Sequence, residues 1–542
     1  MSTQADREPN ERARAEAQAA VRDMEIQTPG RVVYHSLGRV LIHGDERAQI
    51  LAARIEPPLH AQVVMTRGEV EPGVPVVVVG GRDIRLQGHL GRFELTLGEV
   101  GRHTYEKLEA DIVIDLDSPG LDTAELPPPG YYRCGDDPAE ADRLLDEIAN
   151  LTGTFEKPKF FEYDPGLCAH GRSGQTGCTR CIEACPADAI VSLGERVEVN
   201  PNLCQGGGIC AAACPTGAME YAYPGPMDTQ ERLRRMLTAY REAGGATPVV
   251  RFAAEAEAAN PPAAPAHVLT LIVEELGSVG MDLWLSALAW GAMAVVLLDG
   301  PSTPAGVRTE LRAQLATTTA LLTGLGYAED AVCLVTATDP LPPVLEDRPI
   351  SPHGPLDGKR ERLHFALDHL AETAPKRPEH IALPQAAPFG RIRVNADACT
   401  LCMGCTSVCP AKAIRAGDET PRLIFHEANC VQCGLCAAAC PERAIDLRPG
   451  FTPDPAIRRQ SMVLHEEPPF HCVSCGKPFA TRSVIDHMLT KLAGHPMFQS
   501  ERARRRLEMC DDCRVVDAVQ DPEAMNMAMN TGIGLNALNR PQ

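Results

Sequence analysis

The stretch that decides the fold is Cys399-Thr400-Leu401-Cys402-Met403-Gly404-Cys405-Thr406-Ser407-Val408-Cys409-Pro410, followed by Cys430-Val431-Gln432-Cys433-Gly434-Leu435-Cys436-Ala437-Ala438-Ala439-Cys440-Pro441. Each half reads C-x2-C-x2-C-x3-C-P, the run that holds a cubane iron–sulfur cluster. Three thiolates on one tight loop reach three irons of a cube when two residues separate neighbours. The fourth iron faces away and takes its ligand from elsewhere. Proline after the last cysteine turns the chain out of the loop, because its ring fixes φ and it has no N–H to continue a ladder. The alternative, eight cysteines paired as disulfides, fits poorly with an acidic chain that shows no export signal.

These runs resemble the bacterial two-cluster ferredoxin family, in which the fourth cysteine of each run ligates the other cluster. The resemblance implies one [4Fe-4S] cluster on Cys399, Cys402, Cys405 and Cys440, and its mate on Cys430, Cys433, Cys436 and Cys409.

An earlier group, Cys168, Cys178, Cys181, Cys185-Pro186, Cys204, Cys210 and Cys214-Pro215, repeats the pattern. Cys181 and Cys185 precede Cys405 and Cys409 by the same interval, and Ala189-Ile190 and Ala413-Ile414 follow alike, which points to an internal duplication. Two departures matter. The segment Ala169–Gly177 separates Cys168 from Cys178 where the ordinary run has two residues; lengthening a loop costs little closure entropy, so the thiolates can still converge. His170 and Arg172 in that loop either bond to cluster sulfurs or are ordinary exposed loop residues. By the family pattern this cluster takes Cys168, Cys178, Cys181 and Cys214. In the other half, Cys204-Gln205-Gly206-Gly207-Gly208-Ile209-Cys210, Gly207 occupies the place of the middle ligand. Cys185, Cys204 and Cys210 remain, so the expectation is a [3Fe-4S] cluster or a cubane with one non-cysteine corner; loss of the site is the alternative. Cys134 is unpaired, and is either the missing thiolate or a small buried hydrophobe.

Around these modules the expected architecture is multidomain, α+β and α/β. A disordered tail (1–30) precedes a β-rich N-terminal domain (31–130). There the apolar runs Val40-Leu41-Ile42, Val63-Val64-Met65, Val76–Val79, the alternating Phe93, Leu95 and Leu97, and Ile112-Val113-Ile114 read as short strands punctuated by Gly80-Gly81. No G-x-G-x-x-G opens a helix here, so a scaffold or docking role is expected over a nucleotide site. The first dicluster module with flanking helices takes 131–245. In it, Asp137, Pro138 and Glu140 start a helix.

Residues 246–340 alternate strands and helices as a small parallel α/β domain. Glu274-Glu275-Leu276-Gly277-Ser278-Val279-Gly280-Met281, with Trp284 and Ala287, resembles the delta-subunit domain of hydrogenase and heterodisulfide reductase assemblies. That domain passes electrons between a partner and a disulfide or flavin enzyme using cysteines of its own; here only Cys333 is present, so the resemblance implies docking without a cluster. A proline-rich linker and helix (341–388) lead to the second dicluster module (389–450).

The last domain (451–542) carries Cys472-x2-Cys475 and Cys510-x2-Cys513, two knuckles that suit a closed tetrahedral zinc site in a zinc-ribbon-like fold; a single iron is the rival. Arg502, Arg504, Arg505 and Arg506 form a basic patch for an acidic partner or a solvated face. Met525, Met527 and Met529 identify no metal site.

A net charge of −20 argues against nucleic acid and anionic membrane as partners. The 21 cysteines sit in ligand-spaced clusters, and the polar N-terminus has no apolar signal core. The run Leu283–Leu298 is too short to span a bilayer, so a cytoplasmic protein without direct membrane insertion is expected. The function expected is electron transfer between a redox enzyme and another carrier, with no catalytic acid or base. The resemblances imply a formate dehydrogenase, hydrogenase or heterodisulfide-reductase-like partner. The alternatives are a flavin- or NAD-dependent reductase subunit and an iron–sulfur redox sensor or maturation factor.

Overall fold

The computed structural model describes residues 4–522 except 71–72, 74, 80–81, 99–104, 136, 259–261, 344–347 and 419. Gly80-Gly81 and the methionines Met525, Met527 and Met529 lie outside the described residues. The chain divides into two compact units, residues 1–170 with 179–386, and residues 171–178 with 387–542.

The first unit opens with a helix, Gln4–Arg22, where the polar composition predicts a disordered tail. Ala13 and Ala17, one turn apart, are fully buried, and the helix packs on Pro226–Glu242. Small side chains on that stripe let the backbones approach, and Asn10 Oδ1 accepts a hydrogen bond from the Ala246 amide at 2.9 Å. Alanine is the best helix former; tertiary contact supplies what the sequence average hides.

Five parallel strands follow, in the spatial order Val76–Val78, His60–Met65, Arg39–Gly44, Ile112–Asp115, Tyr131–Arg133. Successive side chains point to opposite faces of a strand. Val40, Ile42, Val63, Met65, Ile112 and Ile114 enter one core with Leu51, Leu144 and Ile148. Leu41, Val64 and Val113 enter another with Phe93, Leu95 and Leu97 from a separate antiparallel sheet. Burial on both faces is why the strands read as unbroken apolar runs. Cys134 packs in the first of these cores as a small apolar residue.

The α/β part of the same unit is a four-stranded parallel sheet, ordered Val268–Val273, Val249–Ala254, Ala294–Leu298, Val332–Val335. Helix Met281–Ala289, with fully buried Trp284, packs on Lys359–Glu372, whose Leu363, Ala366, Leu367 and Leu370 are buried. The short turn Leu276–Ser278 sits on the loop that leads into helix Ile209–Ala213. The approach is backbone to backbone: a Cβ on Gly277 would lie 2.3 Å from the Gly207 carbonyl oxygen, and one on Gly208 2.5 Å from Ser278 Cα.

Two small modules share one plan. In the first unit, Phe161–Tyr163 pairs with Met219–Tyr221 and Ile190–Ser192 with Val197–Val199, beside helices Arg180–Ala184 and Ile209–Ala213. In the second, Gly390–Val394 pairs with Ile445–Phe451 and Ile414–Ala416 with Arg422–Phe425, beside helices Gly404–Val408 and Leu435–Ala438. The C-terminal part of the second unit is the hairpin Pro469–His471/Pro478–Thr481 with helices Arg482–Leu492, Glu501–Arg505 and Asp511–Val519. Among the described residues no helix is long and apolar enough to cross a membrane.

The Gly277 contact is testable. Alanine there forces a methyl group against the Gly207 carbonyl, and a loss of about 1–3 kcal/mol is expected, read as a lower urea midpoint in anaerobic unfolding. Gly354→Ala, where a Cβ meets nothing within 4 Å, serves as the control and is expected not to lower the midpoint.

Candidate iron–sulfur and metal centres

Three cysteine loops share one backbone device. Around Cys402, Leu401 and Met403 have φ of 54° and 61°; around Cys433, Gln432 and Gly434 have 54° and 84°; around Gly207, Gly206 and Gly208 have 83° and 71°. Left-handed residues on both sides turn the chain about the middle position. Each loop then enters a short helix that carries the third cysteine, Cys405, Cys436 or Cys210. Gly207 thus occupies the same backbone setting as Cys402 and Cys433, and a Cβ there would meet nothing within 4 Å.

The fold sorts the thiols. Cys409, Cys430, Cys433 and Cys436 line one cavity together with Pro410, Val431 and Leu435. The Cys405 thiol is pushed up to about 12, first by burial and then by Cys399, Cys402 and Cys440. Burial also pushes Cys433 up to about 11. Cys210 is driven well above the ordinary thiol range, first by burial and then by Cys204, Cys185 and Cys181. Such thiols hold their protons when alone; bound iron supplies the positive charge that reverses this. Cys168, Cys181, Cys185, Cys204, Cys210 and Cys214 share the core of the first module. Cys178 follows the hairpin Gly171–Arg172/Gln175–Thr176, which counts with the second unit.

Donors are aimed at the sulfurs. The amides of Ala413, Ala444 and Met219 donate to Cys409, Cys440 and Cys214 Sγ at 3.2, 3.3 and 3.4 Å, and Gln432 Nε2 donates to Cys430 Sγ at 3.2 Å. Donors so placed stabilise thiolate ligands and raise cluster potentials, so the residues present fit iron–sulfur clusters. His170 is buried, its Nε2 2.7 Å from Ser192 Oγ, whereas Arg172 is exposed on the hairpin. Cys333 stands in a strand of the α/β sheet, raised to about 11 by burial.

Two lysines that the sequence alone did not mark lie beside the Gly207 loop. Lys157 Nζ donates to the carbonyls of Asn202 (3.1 Å) and Cys204 (2.6 Å), and burial lowers it to about 8. Lys359 Nζ donates to the carbonyls of Ala211 (2.6 Å) and Ala212 (2.7 Å). Burial lowers its pKa against the opposing pull of Asp282, which Arg362 Nε also meets at 2.9 Å. A signal existed for this pair: Lys359 and Arg362 occupy the same helical stripe as Leu363 and Leu367, where a solvated helix carries no charge.

In the C-terminal part, the sulfurs of Cys472, Cys475, Cys510 and Cys513 all lie within 4.8 Å of one another. Cys475 and Cys510 Sγ are 3.7 Å apart, near the ~3.8 Å edge of a tetrahedron with zinc–sulfur bonds of ~2.3 Å. The first pair sits on a hairpin knuckle, where Gly476 takes φ 76° and its amide donates to the Cys472 carbonyl at 2.9 Å. The second pair differs from a zinc-ribbon knuckle: Cys510 caps helix Asp511–Val519 and Cys513 lies inside it. Asp511 and Asp512 in the first turn favour that helix start. Burial raises the Cys472 thiol, but amides of Cys510, Cys475 and Ser474 outweigh it and bring the thiol to about 6. A Ser474 hydrogen bond lowers Cys513, yet shared hydrogen bonds with Cys475 and Cys510 push it up to about 12. The arginine patch is mostly spent inside the domain: Arg502 and Arg506 both pair with Asp517, at 3.0 and 2.6 Å, and Arg506 also with Asp521.

Residues 176–218 and 398–444 match a family described as the 4Fe-4S dicluster domain. Formate hydrogenlyase subunit 2 of Escherichia coli (strain K12) is 34% identical over 67 residues, which is 12% of this chain and 30% of that protein. The proteins of the same name from Escherichia coli O6:H1 and Shigella flexneri align to the same extent, so the shared part is under a third of the relatives' length. The chain carries two 4Fe-4S dicluster domains and is an iron–sulfur protein of the electron-transfer kind.

For the C-terminal site, one zinc per chain is expected in anaerobically purified protein. Cys510→Ser should reduce it to below about 0.1 per chain and expose residues 469–520 to protease, while visible iron–sulfur absorption stays unchanged, because structural zinc supplies folding energy locally.

Proposed function

We propose that the chain relays single electrons between a redox enzyme and another carrier through three [4Fe-4S] clusters and a fourth cluster held by three cysteines. The ligand sets are Cys399, Cys402, Cys405 and Cys440; Cys430, Cys433, Cys436 and Cys409; Cys168, Cys178, Cys181 and Cys214; and, for a [3Fe-4S] cluster, Cys185, Cys204 and Cys210. The observation that carries this reading is the gathering of Cys409 with Cys430, Cys433 and Cys436 about one cavity, across the two runs of the second module. Cys472, Cys475, Cys510 and Cys513 hold zinc in a closed, non-redox site.

The name of the aligned relatives, formate hydrogenlyase subunit 2, supports a partner of formate dehydrogenase or hydrogenase type. The α/β part, in its likeness to a delta-subunit domain, serves as a docking element; in support, the turn that carries the likeness is the one seated on the Gly206–Gly208 loop. The clusters supply the redox chemistry when bound. The chain's own residues exclude water, aim amides at sulfur and set local charge.

Iron, sulfide and zinc analysis with EPR on anaerobically purified protein tests this. About 15 irons per chain and a [3Fe-4S] signal in the oxidised state are expected. Gly207→Cys should add about one iron per chain, abolish that signal and leave an all-[4Fe-4S] spectrum, since the loop already has the backbone of a ligand position. Colourless protein would sink the whole reading; an unchanged signal in Gly207→Cys would sink the fourth site alone.

A further inference from the structure

The carboxyl end of the N-terminal parallel sheet carries a cleft unrelated to any of the cysteines that gather metal. From Arg39–Gly44 the chain winds outward to His60–Met65 and Val76–Val78, then returns to lay Ile112–Asp115 and Tyr131–Arg133 on the opposite side of the starting strand. The winding direction therefore reverses between Arg39–Gly44 and Ile112–Asp115. In open parallel sheets the crevice outside the carboxyl ends of the strands, at such a reversal, is where ligands bind. Here it has a volume of about 910 Å³, with Arg47, Thr66, Arg67, Asp117, Asp122 and Arg133 in its lining. That size suits a ligand of several hundred daltons.

The floor of the cleft is fixed. Asp115, with its side chain fully buried, accepts from Tyr131 Oη and the Leu121 amide, and its Oδ1 lies 2.8 Å from His43 Nδ1. Gly120 closes over this group so tightly that a Cβ would fall 2.7 Å from Tyr131 Oη and 2.9 Å from Asp115 Oδ2. Above the floor stand cations. Arg133 Nη2 is held by two backbone carbonyls, of Asp122 and Ala124, both at 2.9 Å, and no carboxylate among the described residues forms an ion pair with it. Arg67 is 75% exposed and meets Asp45 only at 3.6 Å. Acceptors stand beside them: Asp117 Oδ2 takes the Thr66 hydroxyl at 3.1 Å, and Asp122 Oδ1 takes the Ala124 amide at 2.9 Å, so each carboxylate keeps lone pairs for a ligand. Guanidinium groups match phosphate, and a carboxylate at this edge of an α/β sheet matches ribose hydroxyls. A ligand that uses both carries both groups.

We propose that this crevice binds a nucleotide, with its phosphates on Arg67 and Arg133 and its ribose hydroxyls on Asp117 and Asp122. The turn after the first strand, Gly44-Asp45-Glu46-Arg47, has no glycine-rich cradle, so side-chain guanidinium groups take over the phosphate role that backbone amides play elsewhere. The site is independent of the clusters and would add a second kind of input to an electron-transfer chain.

Isothermal titration calorimetry of the full anaerobic protein with ADP, and separately with pyrophosphate, tests it. Saturable ADP binding tighter than that of pyrophosphate is expected. Arg67→Glu and Arg133→Glu should each weaken ADP at least tenfold, about 1.4 kcal/mol. Asp117→Asn should weaken ADP while leaving pyrophosphate unchanged. Iron content and circular dichroism report folding of each variant; if Arg133→Glu alters them, the exposed Arg67 carries the test. No saturable heat with about 5 mM ADP, pyrophosphate binding as tight as ADP, or unchanged ADP affinity in a folded Arg67→Glu variant would overturn the proposal.

Discussion

The structure depends on one backbone constraint: seven residues must present three thiol positions to a single point. A regular helix or strand cannot do this, because its side chains leave at fixed angles along a line. The chain solves it by entering the left-handed region on both sides of the middle position, at Leu401 and Met403, Gln432 and Gly434, Gly206 and Gly208. For the residues other than glycine the conformation costs roughly 1–2 kcal/mol each. Gln432, inside its own loop, and the amides of Ala413, Ala444 and Met219, outside the loops, aim donors at the sulfurs, and metal–sulfur bonds would supply further compensation when a cluster is bound. A bound cluster would thus fold the cysteine loops as much as they hold it.

Glycine at both flanks of Gly207 relaxes this cost, and it also opens the loop to a neighbour. The turn Leu276–Ser278 comes so near that Gly208 and Gly277 must both lack side chains. A loop covered by a second backbone is shielded from water whether or not it contributes a thiolate. On the proposed reading, a missing thiolate and a covering backbone are compatible: the dielectric would stay low while the anionic charge at the site is smaller.

The cysteine spacing was legible because cluster chemistry dictates it residue by residue, and the apolar runs at Val40–Ile42, Val63–Met65 and Ile112–Ile114 revealed strands for the same kind of reason, burial on two faces. What escaped reading was long-range. Helix Gln4–Arg22 is held by Ala13 and Ala17 against a helix more than 200 residues away, and two alanines carry no signal of their own. The arginine run near Arg502 looked like a surface patch; its carboxylate partners, Asp517 and Asp521, lie one element later. Cys134 offered a thiol without a spacing, and only packing among Leu144 and Ile148 shows it to be core. The winding reversal that creates the N-terminal cleft is a property of strand order, which no local pattern encodes.

Charge around the Gly207 loop completes the picture. An acidic chain with a net charge of −20 nevertheless places one half-buried and one buried amine on the carbonyls of this one loop and its helix, Lys157 at Cys204 and Lys359 at Ala211 and Ala212. When protonated, each amine would stabilise the reduced, more negative state of a cluster bound at this loop, and in a medium of low dielectric that preference is strong. A cluster with three thiolates instead of four carries less negative ligand charge to begin with. On the proposed reading, both effects push in one direction, toward a higher potential here than at the four-thiolate sites of the second module. A single electron would then be drawn toward a cluster bound at the Gly207 loop, against which the backbone of the Leu276–Ser278 turn lies in direct contact. On the proposed reading, the missing thiolate, the two lysines and the overlying turn would each suit an electron acceptor beside a docking element.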